Sequence, residues 1–176
     1  NTWPVKGMGM MEARRRGAQM IVIDPLFSEA ASKADLWLQL RPGTDAALAL
    51  GMLHVIITEK LYDRAFVDRW CTGFEELAKR VEMYPPDKVE IITWVPAGLI
   101  RQAARLYAVT KPASITQCLS IDQNADPIST SRSLAMLAAI TGNIDVPGGN
   151  LITMLAKMAP VADETGTKML SKEHHK

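Results

Sequence analysis

Gln19-Met20-Ile21-Val22-Ile23-Asp24-Pro25 is the stretch on which the fold turns. A short apolar run rich in β-branched residues, closed at once by Asp-Pro, reads as a buried strand, because it is too brief to complete helical turns. Working forward, Ala34-Asp35-Leu36-Trp37-Leu38-Gln39-Leu40 reads as a second strand, stopped by the Pro42-Gly43 turn. Working back, residues 4–17 read as a helix, with Pro4 in the first turn, Arg14, Arg15 and Arg16 in the last, and Gly17 as its stop.

Helices dominate the rest of the chain. Asp45 to Leu61 is apolar on nearly every face (Leu48, Met52, Leu53, Val55, Ile56), so it is expected to be buried on most sides. Shorter helices are expected at 63–71, 74–83 and 87–92, and longer ones at 96–109 and 129–141, the last stopped by Gly142. Ala113 to Cys118 is a candidate strand. The alternation predicts an α/β fold, a Rossmann-like parallel sheet flanked by helices. The first element is a helix, whereas a doubly wound unit opens on a strand. The sheet is therefore expected to be incomplete at its N-terminus, its first strand lying before Asn1. Residues 1–150 are expected to form this domain, and 151–176, polar and without periodicity, an extended or partly disordered tail.

Composition narrows the function classes. A net charge of +1 and only 6% aromatic residues leave no basic, aromatic-bearing stripe, which argues against nucleic acid as partner. The sequence has no long uninterrupted apolar run, so no direct membrane span is expected. Cys71 and Cys118 form no CxxC pair, which excludes a cysteine-built zinc or iron–sulfur site within these residues. Two thiols or one disulfide remain as alternatives. His54 falls in the apolar helix and His174 and His175 in the tail, so the histidines build no metal site.

Three polar segments can carry binding. Asp24 follows a buried strand, where a carboxylate can accept ribose hydroxyls; the alternative is an Asp-Pro turn. Gly43-Thr44-Asp45 leads into a helix whose free N–H groups suit a phosphate. The Asp45 carboxylate matches the adjacent N1–H and N2–H donors of guanine, the alternative being capping, with Thr44 as cap and Asp45 stabilising the helix dipole. Ser120 to Asn124, after the candidate strand, is either a ligand loop or a polar surface loop. Gly7-Met8-Gly9 lacks the third glycine and preceding strand of a dinucleotide fingerprint.

The runs Val22-Ile23-Asp24-Pro25-Leu26-Phe27-Ser28-Glu29-Ala30-Ala31, Ala34-Asp35-Leu36-Trp37-Leu38 and Arg41-Pro42-Gly43-Thr44-Asp45-Ala46-Ala47-Leu48 resemble the molybdopterin oxidoreductases, the dimethyl sulfoxide reductase and formate dehydrogenase superfamily. Tyr62-Asp63, Phe66-Val67, Trp70 and Gly73-Phe74 are similar to the same family, as are Thr141-Gly142-Asn143-Ile144 and Pro147-Gly148-Gly149-Asn150. Order and spacing hold over roughly residues 1–150.

The resemblance implies a domain that holds one of the two molybdopterin guanine dinucleotides around a molybdenum or tungsten. It implies cofactor-binding roles for Asn1, just past the missing strand, for Asp24, Pro25, Phe27 and Ser28 at the guanosine end, and for Gly43, Thr44 and Asp45 in the next contact segment. It also implies roles for Leu119 and Gln123, which fall on a family Met-Gly-x-x-Gln pattern; here Leu119 and Ser120 replace its Met and Gly. The metal ligand and a 4Fe-4S cluster are expected elsewhere in the intact subunit, with no catalytic or metal-ligating residue in this chain. Expected partners are the remaining domains of the same large subunit and iron–sulfur electron-transfer subunits, in a prokaryotic cytoplasm or periplasm. The alternative is a stand-alone, non-catalytic nucleotide-binding or interaction module.

Overall fold

A computed structural model describes residues 4–117 and 119–152. Helix α1 (Pro4–Arg15) leads through Gly17, at φ +94°, into strand β1 (Ile21–Ile23). A 3-10 turn (Ala31–Lys33) separates β1 from strand β2 (Leu36–Leu38). The two pair in parallel, in the register Ile21 to Leu36, Val22 to Trp37 and Ile23 to Leu38. Asp35 pins the start of this pair. Its carboxylate accepts the Met20 N–H at 2.7 Å and the Arg14 guanidinium at 2.6 Å, and both hold it below the usual carboxylate range.

Helix α2 (Asp45–Thr58) forms the centre of the molecule. It packs against α4 (Phe74–Val81), α5 (Pro86–Thr93), α6 (Ala97–Val109) and α8 (Pro127–Ile140). Leu48, Leu53 and Ile56 are almost wholly enclosed, and burying a side chain of this size contributes about 1.5–3 kcal/mol. Gly51 lets α5 approach closely: a Cβ there would lie 3.0 Å from the Val89 side chain. The expected helix to Leu61 stops at Thr58 because Lys60, at φ +57°, reverses the chain. The Leu61 N–H then donates to Ile56 O at 2.8 Å, and the Lys60 N–H donates to Ile57 O, so a Schellman turn satisfies two end carbonyls.

Helix α3 (Arg64–Trp70) is capped by Asp63, which accepts the Phe66 N–H at 3.0 Å and pairs with Lys111. These partners lower the Asp63 pKa. A single helical turn, α7 (Leu119–Asp122), precedes α8.

Among the described residues the sheet has two strands, and the fold is mixed, mostly helical, with this short parallel pair. The candidate strand at Ala113 to Cys118 is not a strand over 113–117, and Cys118 lies outside the described residues. Side chains take the place of a neighbouring strand. Asn143 Oδ1 accepts the Ala113 N–H at 3.0 Å, and Asn150 Oδ1 accepts the Ile115 N–H at 2.9 Å. The Asn150 amide returns a bond to Ile115 O at 2.8 Å. The loop expected at Ser120 to Asn124 is likewise corrected, since α7 occupies most of it. Of the expected tail, residues from 153 onward lie outside the described residues, as does Asn1.

Asn143 is buried, and its Nδ2 donates to Thr141 Oγ1 at 2.9 Å. Tyr107 is buried beside this pair, and among the described residues its hydroxyl has no hydrogen bond of good geometry; burial raises its pKa, and Thr141 and Asn143 oppose the rise. Replacing Asn143 strands the Ala113 N–H without a partner. Asn143→Ala is expected to cost about 2–3 kcal/mol with an unchanged denaturant slope. Urea unfolding checks this; a loss below about 0.5 kcal/mol would contradict the account of the 113–117 segment.

Candidate functional site

Both strands run the same way, so the segments leaving β1 and β2 emerge at one end of the pair. In parallel α/β sheets this carboxyl end is where ligands are held. Asp24 leaves β1 there. Its N–H donates to Leu38 O, which continues the pairing, and its Oδ1 accepts the Leu26 N–H at 2.8 Å. Asp24 therefore makes a side-chain turn around Pro25. Two bonds, one from β2 and one from the residue after it, anchor that turn: Trp37 Nε1 donates to Asp24 O at 2.9 Å and Gln39 Nε2 to Pro25 O at 3.0 Å. Phe27 is 65% exposed and meets Trp37 in an edge-type contact, with 4.9 Å between centroids and 60° between ring planes. Ser28 Oγ accepts the Ala31 N–H at 3.3 Å and starts the 3-10 turn.

The segment leaving β2 reaches the N-terminus of α2. Gly43 takes φ +82°, which a side chain resists, and the turn delivers Asp45 to the first position of the helix. Thr44 occupies the cap position, but its hydroxyl donates to Arg41 O at 2.6 Å and accepts nothing from the helix. The alternative of side-chain capping by Thr44 is therefore not realised, and the first turn of α2 presents N–H groups without a side-chain cap.

Asp45 is half-buried, and the loss of water raises its pKa above the ordinary value, with its own backbone N–H opposing the rise. Its described side-chain neighbour is Asn124, whose Nδ2 donates to Oδ2 at 3.4 Å. That distance is long for a hydrogen bond. The Asn124 Oδ1 is turned to the Ala125 N–H at 2.7 Å. Asn124 closes the polar segment that begins at Ser120, and sequence reasoning does not single it out. Nothing in its own sequence context signals a bond across to residue 45.

The structure therefore brings the predicted residues together in two groups. Asp24, Pro25, Phe27 and Ser28 form one loop, anchored on β2. Gly43, Thr44 and Asp45 form the other, and Asn124 ties it to α7. Leu119 and Gln123 stand on or just after α7, both exposed, joined by the Gln123 N–H donating to Leu119 O at 2.9 Å. A cavity of about 830 Å³ opens beside the site; of the predicted residues it is lined by Asp45 alone, together with Ile23, Ser120 and Ile121 at that end.

Other groups carry no chemistry here. His54 Nδ1 lies 2.8 Å from Val81 O, a structural bond. Cys71 is a free cysteine whose pKa is raised by burial, which disfavours the reactive thiolate. Among the described residues no cluster of three or more His, Cys, Asp or Glu could hold a metal ion. No described helix is long and apolar enough to cross a membrane.

Carboxyl-carbon NMR titration is expected to separate the acidic residues by environment. Asp45 should titrate above the ordinary aspartate range, and Asp35 and Asp63 below it. Asp45 titrating with the exposed carboxylates would mean that the α2 terminus is fully hydrated.

The sequence model of the molybdopterin oxidoreductase family matches residues 3–174. Acetylene hydratase of Syntrophotalea acetylenica is 48% identical over 143 residues, covering 81% of this chain and 20% of its own length. Formate dehydrogenase H of Escherichia coli is 46% identical over 144 residues, covering 82% of this chain and 20% of its own. The solved structure of acetylene hydratase from Pelobacter acetylenicus superposes with a TM-score of 0.77 at 49% identity, covering 78% of this chain and 19% of that one. The chain spans about a fifth of the length of the curated relatives it matches. The chain belongs to the molybdopterin oxidoreductase family.

Proposed function

We propose that this chain is the cofactor-holding α/β domain of a molybdenum or tungsten enzyme, and that it grips the guanosine end of one molybdopterin guanine dinucleotide. The observation that carries the reading is Asp45. A carboxylate that has lost water and, among the described residues, gains a long bond from Asn124 and one from its own backbone N–H is short of donors. Guanine supplies two side by side, and a charged acceptor with paired donors forms one of the stronger hydrogen-bond arrangements. Asn124 then acts as the group that guanine displaces.

The remaining residues fit the rest of a nucleotide. The uncapped start of α2 offers N–H groups and the positive end of a helix dipole to a diphosphate. Asp24, already fixed by Leu26, is oriented to accept a ribose hydroxyl through its other oxygen. The exposed Phe27 ring can stack a base, an interaction worth about 1–3 kcal/mol per base elsewhere. Leu119 and Gln123 lie toward the pterin in this reading. When bound, the cofactor supplies the two-electron redox chemistry; the residues of this chain bind and orient it. The fuller domain is a Rossmann-like parallel sheet over residues 1–150. Its partners are the other domains of the same large subunit, which hold the metal ligand and a 4Fe-4S cluster, and iron–sulfur electron-transfer subunits.

Calorimetric titration with GMP, GDP and AMP tests the reading. Guanine nucleotides are expected to bind and AMP to fail, because adenine presents no such donor pair. Asp45→Ala is expected to weaken GDP at least tenfold, about 1.4 kcal/mol. Equal binding of AMP, or full GDP affinity in Asp45→Ala, would remove the guanine-reading role.

A further inference from the structure

Asn124 enters the site from the turn between α7 and α8, and its backbone is held on both sides. Its N–H donates to the carbonyl of the buried Ile121 at 3.1 Å. Two residues later Asp126 caps α8 by accepting the Ser129 N–H at 3.2 Å. The side chain is thereby delivered to one place. It lies against Gly43, where a Cβ would stand 3.5 Å from Asn124 Oδ1, and against the Asp45 carboxylate. Its orientation is set as well, because Oδ1 accepts the Ala125 N–H at 2.7 Å. Turning the amide over would lose that bond and set two oxygens, Oδ1 and Asp45 Oδ2, against each other. Nδ2 is therefore the atom that faces Asp45.

The Asn124 contact to Asp45 Oδ2 spans 3.4 Å, long enough to be given up at little cost. Asp45 and Asn124 together present two acceptor oxygens and, beside Oδ2, an amide donor. The hydrogen-bonding edge of guanine is the complement in the same order: the N2–H donor, the N1–H donor and the O6 acceptor. A carboxylate that takes both N–H groups leaves O6 next to whatever stands beside its N1-side oxygen. Here that group is Asn124 Nδ2. Adenine mismatches twice, with its N1 acceptor against Asp45 and its amino group against the Nδ2 donor.

We infer that Asn124 is a specificity-determining residue of this site, and that guanine binding moves its Nδ2 donor from Asp45 Oδ2 to the guanine O6. The inference rests on the proposed guanine reading by Asp45 and extends it to the third group of the base edge. Asn124 gives up the carboxylate and then checks what has taken its place. A hydrogen bond of this kind multiplies affinity about two- to tenfold. A base that carries a donor at that position is rejected more strongly, because two donors are left facing each other.

Calorimetric titration of the 176-residue chain with GDP and with 6-thio-GDP tests it. The thio analogue keeps both N–H donors and replaces O6 by sulfur, a poor acceptor. It is expected to bind about fivefold more weakly than GDP to the unaltered chain, and within about twofold of GDP to Asn124→Ala. The difference between the two ligands decides, because Asn124→Ala also removes a competitor for Asp45 and so shifts GDP affinity both ways. NMR of the Asn124 side-chain amide needs no variant: GDP is expected to move one Nδ2 hydrogen downfield, and 6-thio-GDP to move it much less. Where GDP binds in preference to AMP and depends on Asp45, equal binding of the two ligands by the unaltered chain overturns this inference alone. So does a preference for GDP over 6-thio-GDP that survives in Asn124→Ala, or an Asn124 amide that GDP leaves unmoved. Failure of GDP to outbind AMP removes the Asp45 reading and this inference with it.

Discussion

The burial of α2 is the constraint on which the remainder depends. A surface helix keeps a polar face for water, but this one has packed neighbours on several sides and buries Leu48, Ala49, Met52, Leu53, Val55 and Ile56. Its position is therefore set by the side chains of α4, α5, α6 and α8 together, and it cannot tilt without opening a void against at least one of them. The close approach at Gly51 tightens this further. A helix held so firmly carries its N-terminus as a fixed point. Asp45 is half-dehydrated because of where the body of α2 must lie, and its raised pKa is a consequence of packing rather than of a charged neighbour.

A second constraint is the use of side chains where a sheet would use backbone. Asn143 and Asn150 reach the Ala113 to Gln117 segment from the turn after α8 and hold it extended without a ladder. An amide side chain carries the same donor and acceptor as a peptide group, so the bonding is equivalent while the geometry is local. One consequence is that the segment's other edge stays available. Separately, α7 leads to Asn124, the residue that touches Asp45.

Much of this was legible in the residues. The apolar run of α2, the Asp63 start of α3 and the Gly142 stop of α8 are strong local signals, and the helices other than α7 stand where periodicity puts them, within a few residues. The β1 and β2 pair was legible because each is a short apolar run closed by a turn. Ala113 to Cys118 misled because it has the composition of a strand, while what decides its state is a pair of asparagines some 30 residues away. For Thr44 the residues left capping open, because a hydroxyl before a helix has two choices, and here the Arg41 carbonyl wins. For Asp45 the residues alone left guanine recognition and helix capping open. The structure adds its dehydration and its weak bond to Asn124, neither of which has a local signature.

The central claim is that the turn after β2 and the start of α2 read a guanine through Asp45. Diffraction from crystals of the chain grown with GDP addresses it most directly. The account predicts a guanine whose N1 and N2 lie within hydrogen-bond distance of the two Asp45 oxygens, with Asn124 moved aside. A guanine bound elsewhere, with Asp45 still joined to Asn124, would contradict it.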